Sequence, residues 1–179
     1  DWAKAVYGED KASAALSRYC GQTFRFVYMP EETFRRVDAS RVTEYRRVSF
    51  ADGFPFLITN LASLEELNSR LDSAIDMRRF RPNIVVKGAG AWDEDSWTSA
   101  HIGETAFTLV KPCSRCVMTT VDPDQGVKSV DLQPLRMLGT YRRTSDGVIF
   151  GMNAIHESDG TIRVGAPITL QTTATTENQ

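Results

Sequence analysis

Apolar and polar positions change period several times along this chain, and each change marks an expected element. Residues 1–20 are Ala-rich, with Ala12, Leu16 and Tyr19 near helical spacing, so a helix ending at Gly21 is expected. Residues 23–29 alternate as a strand does, and Pro30 stops them. Residues 31–49 are charged and irregular and read as an exposed excursion. A turn at 51–55 precedes a short apolar strand at 56–59. Ser63 and Glu66 have capping-box spacing, and Leu64, Leu67 and Leu71 then make the buried stripe of a short helix.

From residue 80 onward the period is mostly two. Strands are expected at 83–86, 99–102, 104–111, 117–121, 148–153, 161–164 and 167–170, with a turn at Ile102-Gly103-Glu104 and a loop at 122–126. Pro134 is placed to open a helix running to Tyr141. This arrangement predicts a mainly β, α+β fold: a closed or nearly closed barrel with peripheral helices. The polar, Thr-rich stretch 171–179 reads as a disordered tail, leaving 1–170 as one domain.

Composition narrows the function. A chain of 179 residues can bury roughly 70% of its unfolded surface and needs no staple to hold a core. A formal net charge of −2 argues against general nucleic-acid or anionic-membrane binding. No run reaches the length of a membrane-spanning helix. Three cysteines, an odd count without secretory spacing, suggest an intracellular, reducing compartment, cytoplasmic or mitochondrial. The double-arginine steps Arg35-Arg36, Arg46-Arg47, Arg78-Arg79 and Arg142-Arg143 read mostly as solvated faces, and Arg142 is the best placed of them for a cofactor or substrate.

Two of the three cysteines lie in Lys-Pro-Cys-Ser-Arg-Cys-Val-Met-Thr at 111–119. Zinc needs about four N or S ligands, and neither a second Cys pair nor a His motif accompanies Cys113 and Cys116. A thioredoxin-type pair starts a helix, whereas the β-branched run after Cys116 predicts a strand. Two readings remain: small packing residues in a turn, or one thiolate on a soft metal whose other ligands come from a cofactor. In the second, Arg115 and Ser114 serve an anionic group.

Further motifs occur in order: Arg81-Pro82-Asn83, Glu94-Asp95-Ser96-Trp97, Ile102-Gly103, Cys113-Ser114-Arg115-Cys116, Thr119 through Gly126, Pro134-Leu135, Tyr141-Arg142 and Phe150-Gly151. Together with residues 51–56 and 61–68, they resemble the molybdenum-cofactor sulfurase C-terminal (MOSC) domain, in the branch of the mitochondrial amidoxime-reducing component and its bacterial relatives. The resemblance implies a MOSC-type β-barrel binding a molybdenum pyranopterin (Mo-molybdopterin), with Cys116 as metal ligand and catalytic residue. It implies cofactor contacts from Arg81, Asn83, Ser114, Arg115, Gly53, Phe54, Pro55 and Asn153, with Arg142 nearby. Pyridoxal phosphate is not expected.

The activity implied is reduction of N-hydroxylated small molecules, with electrons from a separate cytochrome b5-, flavin- or ferredoxin-type protein. A sulfurtransferase carrying a persulfide on Cys116 and a non-catalytic binding module are the alternatives. The family pattern also holds an N-terminal segment with a Lys-Ser pair and an Arg that this sequence lacks, which implies a piece of a longer protein, or cofactor binding with fewer contacts, or none.

Overall fold

A computed structural model describes residues 3–173, which fall into two compact units, one ending at Pro55 and the other beginning at Phe56. In the first, β1 (Val6–Tyr7) pairs antiparallel with β2 (Val27–Tyr28), and α1 (Asp10–Cys20) lies between them in sequence. The helix stops as expected at Gly21, where φ is 68° and a side chain would be strained. Only two residues of the strand expected at 23–29 join a ladder. The Phe24 and Phe26 amides donate instead to the Ser17 and Ser13 hydroxyls of α1, at 2.8 and 3.1 Å. The stretch 31–49 is irregular, as expected, but Val37 and Val48 are buried within it. They flank an isolated Arg36–Arg47 bridge.

The second unit is mainly β. Its elements are β3 (Phe56–Asn60), α2 (Leu61–Ser69), β4 (Ile84–Val86), β5 (Trp97–Ile102), β6 (Thr105–Ser114), α3 (Leu135–Tyr141), β7 (Arg143–Thr144), β8 (Gly147–His156) and β9 (Ile168–Thr172). The sheet runs β4-β3-β8-β6-β5-β9, with β7 on β8. It is a curled half-barrel, and only the β3–β4 pair is parallel. One apolar cluster joins Ile58, Phe107, Leu109, Met152 and Ala154 across the sheet. A second joins Leu64, Leu67, Phe80, Leu138 and Phe150 under the helices, with the Phe80 and Phe150 rings stacked at 3.8 Å.

Three local expectations are corrected. The cap of α2 is Asn60, whose side chain accepts from the Ala62 amide, because Ser63 and Glu66 have partners elsewhere. Residues 117–121 are not a strand; Val117–Thr120 forms a 3-10 turn, since the Thr119 and Thr120 hydroxyls donate to the Cys116 and Val117 carbonyls at 3.0 and 2.7 Å. Residues 161–164 have no ladder partner and Val164 is exposed. Gln171 and Thr172 continue β9, while 174–179 lie outside the described residues.

The centre of the sheet rests on Gly151. Its φ is 74°, and a Cβ there would lie 2.8 Å from the Ile58 carbonyl oxygen and 2.8 Å from Thr59 Cγ2. Both atoms belong to the neighbouring strand, so the fit cannot be relieved by a flexible side chain. Gly151→Ala is therefore expected to cost about 2–4 kcal/mol, from a left-handed backbone and overpacking together. Urea unfolding of the two proteins measures it, and an equal midpoint would show that β8 does not need this glycine.

Candidate functional site

The cysteine turn begins where β6 runs out. A bulge between Leu109 and Lys111 shifts the register so that Lys111 opposes Asn153, and a second shift between Pro112 and Ser114 sets Ser114 opposite Ile149. The Arg115 amide donates to the Val148 carbonyl at 2.7 Å, the last tie to β8 before the chain leaves the sheet. Cys116 then precedes the 3-10 turn in extended backbone, and its carbonyl accepts from both the amide and the hydroxyl of Thr119. Its side chain is exposed, and all three cysteines are free thiols.

Arg115 joins this turn to the segment around Arg81. Its Nη1 donates to Cys113 Sγ at 2.9 Å and its Nη2 to the Phe80 carbonyl at 2.7 Å. Its Nε is buried and has no partner among the described residues. One residue beyond Phe80, Arg81 takes a left-handed backbone (φ 54°) and exposes a side chain with no hydrogen bond or ion pair among the described residues. Asn83 is a strand-edge amide: its Oδ1 accepts from the Leu57 amide at 2.8 Å while its own amide donates to the Leu57 carbonyl. Its side-chain NH2 has no partner among the described residues.

Sheet register brings more of the expected residues into line. Asn83 and Leu57 are bonded, Leu57 opposes Asn153, and Asn153 opposes Lys111. Residues directly opposed across a ladder share a face, so Leu57, Asn153 and Lys111 form one row over three strands, polar except at Leu57, and the Asn83 side chain is bonded to its edge. Asn153 Nδ2 also reaches the Pro112 carbonyl at 3.5 Å. Lys111 was not singled out from the sequence, because its place in this row depends on the bulge before it. Ser114 is exposed at the strand end. Gly53, Phe54 and Pro55 close the first unit, where the Arg35 guanidinium binds the Ser49, Ala51 and Asp52 carbonyls just before them.

Arg142 sits differently. Both arms of its fork bind Asp95, at 2.6 and 2.7 Å, and the guanidinium lies 4.2 Å from the centre of the Trp92 ring. Arg78 and Arg79 are not free solvated charges either. Arg78 grips Asp124 with two bonds of 2.9 Å, and Arg79 binds Asp122 and the Thr120 carbonyl. Asp122 also accepts from the Asp124 and Gln125 amides, as its loop position suggested, and these bonds hold its carboxyl below the usual range. Asp124 is lowered by Arg78.

Two carboxylates, a half-buried Glu66 and a buried Glu94, brace the helices. Burial raises Glu66, but donors from Arg70, Tyr141 and Trp92 outweigh it and hold the group below its ordinary value. Tyr141 is pushed up by its own burial and by this bond. Glu94 is fully buried, with Oε2 accepting from Ser63 and Asn60 and Oε1 unpartnered among the described residues. Burial drives its pKa up.

The donor set has a consistent chemistry. No group of three or more His, Cys, Asp or Glu able to hold a metal exists among the described residues. Cys116 can supply one sulfur, and the unpartnered donors of Arg81, Asn83 and Arg115 suit an anionic, oxygen-rich ligand. A metal carried by such an organic anion fits these residues; a metal held by protein ligands alone does not.

Residues 45–169 match the MOSC domain. Mitochondrial amidoxime-reducing component 1 of Mus musculus is 38% identical over 174 residues, covering 91% of this chain and 51% of the relative. The Homo sapiens protein of the same name is 37% identical over 176 residues, with the same coverage. The chain thus spans about half the length of the curated relatives it matches. A crystal structure of YiiM from Geobacillus stearothermophilus superposes with a TM-score of 0.49 at 14% identity, covering 66% of this chain and 54% of that one.

The Glu94 shift has a sign that can be checked. A carboxyl whose folded pKa is raised binds its proton more tightly in the folded state, so its contribution is full below 4.5, the ordinary value, and is lost as pH rises towards the raised one. Glu94→Gln removes that titration. Urea midpoints measured from pH 4.5 upward should therefore fall less steeply in the variant, and parallel curves would show that Glu94 titrates normally.

Proposed function

This chain belongs to the MOSC domain family, and from that premise we propose that it forms the cofactor-binding part of an N-reductive molybdenum enzyme. The observation that carries the reading is the exposed Cys116 thiol on a rigid turn, tied through Arg115 to a segment with unpartnered cationic and amide donors. When bound, the molybdenum pyranopterin would supply two-electron reduction of an N–O bond. Overall, two electrons and two protons convert an N-hydroxyl group to N–H and water.

The chain's own residues would do the binding and orienting. Cys116 provides the protein sulfur. Arg81 and the Arg115 Nε–H bind anionic oxygens, with Arg81 offering a planar fork suited to a phosphate. Asn153, from the polar row, and Asn83, at its edge, present amides to a heterocycle edge. Ser114 adds a hydroxyl. Arg142 is best read as a buttress, since Asp95 takes both arms of its fork and Trp92 lies on its face, which leaves only its Nε–H without a partner among the described residues.

Two relatives are named as amidoxime-reducing components, so amidoximes are the substrate class to test first. Electrons would come from a separate cytochrome b5-, flavin- or ferredoxin-type protein. No helix of the described residues is long and apolar enough to cross a membrane.

The test pairs Cys116→Ala with the wild-type chain, each produced in cells that make the cofactor. Elemental analysis should show molybdenum falling by more than roughly tenfold in the variant, and amidoxime reduction should fall with it. Equal molybdenum in both proteins would remove Cys116 as ligand. Wild-type protein without molybdenum, carrying an extra sulfur on Cys116 by mass spectrometry, would establish the persulfide reading instead.

A further inference from the structure

The cysteine left over by this reading is Cys113, and its sulfur is not simply packed. The thiol hydrogen points towards the Ser114 carbonyl, 3.8 Å away, while the sulfur accepts Arg115 Nη1–H at 2.9 Å. On the other arm, Nη2 is held at 2.7 Å by the Phe80 carbonyl, and the guanidinium stands 5.6 Å from the Phe80 ring centre. The Phe80 ring is itself immobilised by Phe150. A guanidinium is planar, so two fixed arms on either side define its plane and leave the Nε–H no freedom of direction. That Nε–H is a buried donor without a partner among the described residues, as is the Nε–H of Arg142.

We infer that Cys113 is a positioning residue: with the Phe80 carbonyl, its sulfur clamps the Arg115 guanidinium so that Nε–H is pre-aimed at an oxyanion of the ligand bound beside Cys116. This rests on the proposed cofactor site for the identity of the oxyanion, but the clamp itself is a property of the unliganded chain. Its purpose follows from entropy. A free arginine side chain gives up rotamer freedom when it is fixed, and a clamp incurs that cost during folding, before the ligand arrives. Sulfur is suited to the task because it accepts from a guanidinium without being a fixed anion. A carboxylate there would also hold Arg115, but would add a negative charge beside an anionic ligand.

Two variants and two readouts test it. Cys113→Ala removes the acceptor, and Cys113→Ser restores one; neither touches Cys116. In nitrogen-15-labelled protein without cofactor, the Arg115 Nε–H signal (assigned by its loss in Arg115→Lys) should exchange with solvent several-fold faster in the alanine variant and return towards wild type in the serine variant. In protein produced with cofactor, the alanine variant should retain roughly tenfold less molybdenum and pterin, the factor expected from one charge-assisted hydrogen bond, with its melting temperature little changed. The serine variant should recover most of it.

An Nε–H unaffected by Cys113→Ala would overturn the clamp, as would a serine variant as depleted as the alanine one. If the wild-type chain binds no molybdenum cofactor, the proposed function fails and the exchange measurement alone decides the clamp.

Discussion

Everything at the candidate site is registered by the close approach of β8 to β3 at Gly151. A side chain there would collide with the Ile58 carbonyl and with Thr59, so the strands can come together only where no Cβ intervenes. Two residues further on, Asn153 opposes Leu57 on one side and Lys111 on the other. On the other side of Gly151, Phe150 stacks on Phe80, whose carbonyl receives Arg115. The polar row and the arginine clamp are therefore set from one strand. A slip of one residue would turn the row to the opposite face.

Charge is disposed around the cysteine turn in a way that stability alone does not explain. Arg78 and Asp124 are each more than half exposed, and exposed pairs add little to stability. Their effect on the local field is larger. A free carboxylate beside a bound anion would repel it, and pairing that carboxylate with a cation relieves the repulsion. With Asp122 and Asp124 committed to Arg79 and Arg78, the acids of this loop are neutralised while Arg81 keeps an unpaired charge. That disposition is the one an anionic ligand requires, and it gives the double arginine at 78–79 a role that solvation alone does not.

Some of this was legible from the sequence, for local reasons. Gly21 ends α1 and Pro134 precedes α3 because the signals lie in the residues themselves. The central strands were found because their apolar runs are buried. What failed were features whose partners are remote. Ser63 and Glu66 have capping-box spacing, yet Ser63 bonds Glu94, 31 positions away, and Glu66 bonds Tyr141, 75 positions away. Thr119 and Thr120 have strand propensity, but hydroxyl bonds to carbonyls three residues back coil them into a 3-10 turn. At the site, motif order singled out Arg81, Asn83, Arg115 and Cys116. Lys111 became visible only through the bulge, and Cys113 only through the distance to Arg115.

One protein sulfur is too little to hold a transition metal, which ordinarily takes several protein ligands. On the proposed reading the chain does not compensate with more ligands; it grips the organic carrier that brings the metal. Specificity then resides in anion and amide donors spread over two loops and a strand row, each weak alone. Such a site binds best when those donors are already aligned, because each one ordered on binding would subtract from affinity. Arg115 meets that condition through Cys113 and Phe80, and Asn83 through its two bonds to Leu57. Arg81 is fixed only in its backbone: its left-handed φ follows the 3-10 turn Met77–Phe80, which Arg78 and Arg79 pin to the loop after Cys116, while its exposed side chain is left to order on binding. The left-handed backbone at Arg81 caps that 3-10 turn, its amide donating to the Arg78 carbonyl, and on the proposed reading it also presents the guanidinium to an anionic ligand.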